Sequence, residues 1–301
     1  MAENPDREWL EEQFQANRDH LKAVAYRMLG SLSEADDAVQ DTWLRLNRAD
    51  PTGVENPAAW LTTVVARVCL NMLRSRGARK EEPLEDQPAP DPGYRLVAGA
   101  TVDPEEEALL ADSVGLALLV VLNTLSPAER LAFVLHDLFD LPFDEIGPIV
   151  GRSPTAARQL ASRARRRVQH PASVPPATLR RQRKVVDAFL AASRQGDFGT
   201  LVAILDPEVT LRADAYASPS GRAVERHGAR TVTRGALAAA ARTFQAVPAL
   251  VDGSIGLVYA PQGKLRVALI FEFNGELISH LEIIGDPERL DSVDVALLPE
   301  D

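Results

Sequence analysis

The sequence predicts a multidomain chain: two small all-α domains, then an α+β domain that opens with a helix and continues as a curved antiparallel sheet. Three observations predict it. From Phe14 to Val168 apolar residues recur at helical spacings of three and four. Period-two alternation then takes over in Ile255–Tyr259, Leu265–Phe273 and Leu277–Ile284. Two proline-rich breaks, 81–104 and 170–178, leave 1–80, 105–169 and 179–301 as the folding pieces.

Composition narrows the class. The 301 residues are 46% apolar, enough for real cores, and contain no apolar run of membrane-spanning length. The acidic start MAENPDREWLEEQ lacks the apolar core of an export signal. The single cysteine, Cys69, can form neither an internal disulfide nor a cysteine metal site, and no other metal set or cofactor loop is present. The expected compartment is a reducing cytoplasm, with no membrane partner.

In the first piece, Phe14, Leu21, Val24, Ala25, Met28 and Leu29 form a helical stripe that stops near Gly30. Ser33, with Asp36 three residues on, reads as the start of the next helix. Its inner face is Ala35, Ala38, Val39, Thr42, Trp43 and Leu46; Asp37, Gln40, Asp41 and Arg45 lie outward. After the loop Asn47–Glu55, Asn56 caps and Pro57 opens a third helix. Trp60, Leu61, Val64, Val65, Val68 and Met72 face inward there. Thr63, Arg67, Asn71 and Arg74 form one polar stripe, which fits a solvated helix face and a contact to one DNA strand equally well.

The break at 81–104 carries six acidic residues, one basic residue and five prolines, so half of the chain's net charge of −10 sits there. It reads as an extended acidic linker.

In Leu141–Gln169, Phe143, Ile146, Ile149 and Val150 stripe one helix, Gly151 suits the turn, and Ser153 with Pro154 opens a second. The second helix turns Ala157, Leu160, Ala161, Ala164 and Val168 inward. Arg152–Arg167 holds six arginines, and no acidic residue occurs from Ile146 to Thr178. This is the layout of a helix-turn-helix whose second helix enters the major groove.

The three runs EADDAVQDTWLRL, NPAAWLTTVVARVCLNMLRSR and LSPAERLAFVLHDLFDLPFDEIGPIVGRSPTAARQLASRARRRV occur in the order found in bacterial RNA polymerase sigma factors of the extracytoplasmic-function group, which residues 10–170 resemble. The resemblance implies core RNA polymerase and promoter DNA as partners. Asp37, Gln40, Asp41 and Arg45 match the face that meets the β′ clamp helices, while the second helical domain meets the β flap. The Asn47–Glu55 loop matches the segment that captures a flipped −10 base. Arg67, Asn71 and Arg74 match the −10 strand contacts. Thr155, Arg158, Gln159, Ser162 and Arg163 match −35 base readers, with Arg165 and Arg166 on phosphates. The acidic linker matches the segment that threads the polymerase RNA path, where its charge would partly mimic RNA.

In the last piece, a helix over Leu179–Gln195 is followed by a turn, a short helix and a strand over Val209–Arg212. Gln262-Gly263 and Asn274-Gly275 are hairpin-turn dipeptides between the later strands. This pattern resembles the NTF2-like, SnoaL-like cone carried at the C-terminus by a SigJ-like subgroup of these sigma factors. That resemblance implies a regulatory domain with room for a small ligand. Asp214, His280 and Asp286 are its candidate pocket or contact residues. The runs Arg212-Ala213-Asp214-Ala215-Tyr216 and Gly285-Asp286-Pro287-Glu288-Arg289-Leu290 depart from the subgroup's usual motifs, as does Pro83-Leu84-Glu85-Asp86 in the linker. Two other readings stay open at this level: a stand-alone DNA-binding regulator with a ligand-sensing cone, and a fused small-molecule enzyme using Asp214 or His280 as acid or base.

Overall fold

The computed structural model describes residues 5–47, 56–80, 115–169, 172–218, 220–238 and 246–299; the 48–55 part of the expected base-capturing loop and the linker 81–104 lie outside them. The described residues fall into two compact units. One contains the helices up to residue 80 together with Leu122–Arg166, so elements of both expected helical domains share it. The other contains Leu116–Val121 and the chain from Arg167 onward.

In the helical unit, α1 (Pro5–Leu29) ends at Gly30, where φ turns positive (76°). Helix α2 (Leu32–Leu46) has its cap at Ser31, two residues before the expected Ser33. Ser31 is the extended residue at its start, and its hydroxyl pairs with that of Ser33 at 3.0 Å. Leu32 is 5% exposed; burying it draws the first turn forward. Helix α3 (Pro57–Lys80) is capped as expected, the Ala59 N–H donating to Asn56 Oδ1 at 3.2 Å. Its buried side is wider than the predicted stripe and adds Ala66, Cys69 and Leu70, while Trp60, Val64 and Met72 are only half-buried. The cause is tertiary: α3 packs against α1 and α2 and also against two later helices, Pro127–Phe133 and Phe143–Val150.

Helix α4 (Leu116–Thr124) leads to α5 (Pro127–Phe133). A reciprocal capping box starts α5: Glu129 N–H donates to Ser126 Oγ, and Ser126 N–H donates to Glu129 Oε2. The chain then makes a π-helical turn, Val134–Leu138, which no sequence pattern announced. Helix α6 (Phe143–Val150), the left-handed Gly151 (φ 71°) and α7 (Pro154–Val168) complete the helix-turn-helix at the expected positions.

The second unit opens with α8 (Pro176–Gln195), three residues earlier than expected because Pro176 can occupy the first helical position. After α9 (Phe198–Ile204) come β1 (Leu205–Ala213), β2 (Val224–His227), α10 (Ala229–Ala238), β3 (Val247–Val251), β4 (Ser254–Tyr259), β5 (Val267–Asn274), β6 (Leu277–Ile284), α11 (Pro287–Ser292) and β7 (Val295–Ala296). One seven-stranded sheet runs β2-β1-β6-β5-β4-β3-β7. It is mixed, not wholly antiparallel: β1 and β6 run parallel. Their connection is long enough to include four other strands and α10, which a parallel pair allows and a hairpin does not.

Strand details also moved. β1 begins four residues before the expected Val209, with a register irregularity between Leu205 and Thr210. Gln262 and Gly263 lie in a short 3-10 turn. Asn274 pairs with Leu277, so Gly275 and Glu276 form the β5–β6 turn. β3 went unpredicted although Asp252-Gly253, both at positive φ, is the dipeptide a tight hairpin favours. β2 has no apolar alternation because it is a solvated edge.

One sheet face carries Leu211, Leu257, Leu269, Phe271, Ile278 and Leu281 against Phe189 of α8, Leu201 of α9 and Val232 of α10. Phe189 and Phe271 meet edge to face at 5.3 Å. Each such buried side chain contributes about 1.5–3 kcal/mol.

Candidate nucleic-acid interface

The helix-turn-helix is built from small residues inside and polar ones outside. Ala157, Ala161 and Ala164 are fully buried, so α7 approaches its neighbours closely. Ser153 Oγ accepts the Ala156 N–H at 3.2 Å and fixes the helix start. Thr155, Arg158, Gln159, Ser162, Arg163 and Arg166 are all exposed along the outer side. Six donor-bearing side chains on one helix face suit base edges and phosphates.

Arg158 and Arg165 of α7 engage residues ahead of the helix, while the Arg166 Nε–H donates to the Ser162 carbonyl at 3.5 Å within it. The Arg158 guanidinium lies 5.2 Å from the centroid of the Phe143 ring. Arg165 donates from Nε and Nη2 to Asp137 Oδ1 at 2.8 and 2.5 Å and is half-buried. Arg165, expected on phosphate, thus already has a carboxylate partner. The His136 ring also lies 3.9 Å from that of Phe143, centroid to centroid, and its Nδ1 meets the Leu141 carbonyl at 3.0 Å.

On α3, Arg67, Asn71 and Arg74 are exposed and Thr63 half-buried, so the predicted stripe faces outward. On α2, Asp37, Gln40 and Arg45 are exposed and Asp41 half-buried. Arg45 and Asp41 pair at 3.0 Å one turn apart, a solvated contact that contributes about 0.3–0.5 kcal/mol. The same face carries Leu44, 47% exposed, which the sequence reading passed over. The signal was available: Leu44 falls one turn after Gln40 and Asp41, a large apolar residue in a polar stripe. On the same helix Asp36, Val39, Gln40 and Trp43 line a recess of about 270 Å³ with Phe14, Gln15 and Arg18 of α1, the Phe14 and Trp43 rings being 4.9 Å apart.

Of the three C-terminal candidates, the structure brings Asp214 and Asp286 together, while His280 has a separate partner. The Asp214 carboxylate accepts the backbone N–H groups of Ala217, Gly285 and Asp286 at 2.8, 2.8 and 2.9 Å. It thereby ties the end of β1 to the segment after β6. Asp286 caps α11 by accepting the Glu288 N–H at 2.9 Å. His280 Nδ1 bonds Thr210 Oγ1 at 2.6 Å, and the residue is registered opposite Glu272, off the apolar core. Among the described residues no group of three or more His, Cys, Asp or Glu side chains could hold a metal ion, and no helix is long and apolar enough to cross a membrane.

Two helical segments ending in a helix-turn-helix, the first carrying an acidic outer face and a Thr-Arg-Asn-Arg stripe, have the organisation of the sigma-70 class. The Sigma-70 region 2 model matches residues 13–79 and the Sigma-70 region 4 model residues 115–168. The ECF RNA polymerase sigma factor SigJ of Mycobacterium tuberculosis is 42% identical over 205 residues, 67% of this chain and 64% of that relative, so the match spans under two-thirds of its length. The probable ECF RNA polymerase sigma factor SigI of the same species is 40% identical over 67% of this chain and 69% of that relative. The crystal structure of M. tuberculosis SigJ aligns over 92% of this chain and 97% of that one, at 34% identity and a TM-score of 0.46. The chain belongs to the extracytoplasmic-function RNA polymerase sigma factors.

Proposed function

We propose that this chain binds core RNA polymerase in the cytoplasm and directs it to particular promoters, with its C-terminal α+β unit setting the rate of initiation. The observation that carries the reading is the outward-facing polar side of α7 in a helix-turn-helix, joined in one chain to the exposed Arg67, Asn71 and Arg74 of α3. Thr155, Arg158, Gln159, Ser162 and Arg163 read the −35 element and Arg166 holds phosphate. The α3 stripe contacts the −10 strand. Asp37, Gln40, Asp41 and Arg45, with Leu44 as an apolar anchor, meet the polymerase clamp helices; the second helical domain, 105–169, meets the flap.

The C-terminal unit acts as a regulator, not a catalyst. Asp214 spends its carboxylate on three backbone N–H groups, and His280 is bonded to Thr210, so neither is paired as acid and base. The acidic linker 81–104 adds an electrostatic attraction to the cationic RNA path.

Run-off transcription with purified core polymerase tests this. The full chain and a version ending at Thr178 are compared on genomic promoter fragments. Initiation by both, at different rates, is expected. Failure of both, while the full chain binds DNA tightly alone, would overturn the sigma reading in favour of a stand-alone regulator. Asp41→Arg is expected to weaken core binding in a folded protein. Replacing the linker acids by Ser and Gln is expected to change open-complex lifetime.

A further inference from the structure

The π-helical turn Val134–Leu138 inserts one extra backbone unit ahead of the helix-turn-helix, and such insertions recur at functional sites. Its two polar side chains both contact residues of the helix-turn-helix. Asp137 takes Arg165 through Nε and Nη2. His136, tied by its Nδ1 to the Leu141 carbonyl, stacks on Phe143 at 3.9 Å, and Phe143 carries the Arg158 guanidinium on its ring. The Phe143 ring thus contacts both an imidazole, tilted by 36° to it, and a guanidinium.

The stack has a consequence for recognition. A guanidinium lying on a ring keeps its N–H donors available for a base edge, and bidentate guanine contact through O6 and N7 needs two of them. Stacking also restricts a long flexible side chain before binding, so less rotamer freedom is lost when DNA arrives. Arg165 is treated in the opposite way: its ion pair takes up donors that a phosphate would otherwise use. We propose that the turn Val134–Leu138 positions the recognition helix, holding Arg158 for a base through His136 and Phe143 and withdrawing Arg165 from DNA through Asp137. The proposal rests on the −35 reading of α7 above and names Phe143 as a positioning residue for its specificity.

The test uses the full chain with core polymerase and a DNA library randomised across the −35 region, sequenced after selection. Arg158→Ala is expected to flatten the preference at one position about fivefold or more, the lower end of a bidentate base contact. Phe143→Leu is expected to flatten the same position, and Phe143→Tyr to retain it. Adding Phe143→Leu to Arg158→Ala is expected to cost nothing further there. Arg165→Ala is expected to leave the salt dependence of promoter binding unchanged, whereas loss of a phosphate contact would lower its slope by about one. Thermal melting checks each variant's fold, and Phe143→Met replaces Phe143→Leu if the latter does not fold. Equal loss on all sequences with Phe143→Leu, or a reduced salt slope with Arg165→Ala, overturns the proposal. If the unaltered chain selects a −35 motif but Arg158→Ala leaves it intact, this inference falls while the sigma reading stands. If the unaltered chain with core selects no motif, the −35 reading itself has failed and the inference with it.

Discussion

Arg130 of α5 donates its Nε–H to the carbonyl oxygen of Arg27 in α1, 103 residues earlier, at 3.2 Å. The side chain is 2% exposed; Nη1 bonds Asn123 Oδ1 at 2.5 Å, and Nη2 has no partner. Burial, with help from the nearby Arg76 charge, pushes the guanidinium well below its ordinary value, to about 9. It therefore stays cationic at neutral pH. Below about pH 9 both folded and unfolded chains hold the proton and the cost of burial is constant; it relaxes only as pH rises from there toward the ordinary arginine range.

A buried cation with an unpaired donor is more often a cost than a gain. Arg130→Met, which keeps most of the volume, is expected to leave stability within about 1 kcal/mol of the parent or raise it. Arg130→Ala is expected to cost about 2–4 kcal/mol through the cavity it leaves. Urea titration followed by circular dichroism measures both. A methionine variant as weak as the alanine one would mean that the two hydrogen bonds outweigh desolvation.

The Cys69 thiol is fully buried in α3, and desolvation pushes it up to about 12. A neutral, enclosed thiol is a poor nucleophile. The native chain at pH 8 is expected to react with a thiol reagent only as fast as it unfolds, and the rate in mild denaturant is expected to follow the unfolding equilibrium. Rapid labelling of the folded chain would contradict this.

His20 of α1 touches the Phe139 ring at 5.1 Å and Thr62 Oγ1 at 3.3 Å. Its imidazole lies below the ordinary 6.5, first because of partial burial and then because Arg27 repels the cation. The unfolded chain thus takes up this proton first. Stability is highest above about pH 6.5 and falls as pH drops from there through the folded value. Thermal melting between pH 7 and 5 is expected to show a shallower slope in His20→Gln than in the parent.

Asp214 is expected to matter for folding of the C-terminal unit. Asp214→Asn removes charge from an acceptor of three N–H groups and is expected to cost about 1–3 kcal/mol. Gly285→Ala is expected to be destabilising as well, since a Cβ there would stand 2.6 Å from the Ala217 backbone nitrogen. Calorimetric melting of both variants checks this. A normal transition in Asp214→Asn would remove the structural role.

Much of the first 170 residues was legible because each signal is local. Asn56-Pro57, Gly151 and Ser153-Pro154 set helix ends through backbone chemistry carried by the residues themselves. The outward placement of Arg67, Asn71 and Arg74 followed from helical spacing alone. The C-terminal sheet was harder: the edge strand Val224–His227 has no buried face to pattern, and parallel pairing of β1 with β6 joins residues about seventy apart. The starts of α3 and α7 and the polar faces of α2, α3 and α7 were thus determined by sequence, because spacing and caps act within a few residues. Tertiary structure alone decided that Arg130 is buried against Arg27, that Asp214 is a clamp, and that Asp137 and Phe143 hold Arg165 and Arg158. Those outcomes depend on which distant groups share a low-dielectric contact, and no local pattern encodes that.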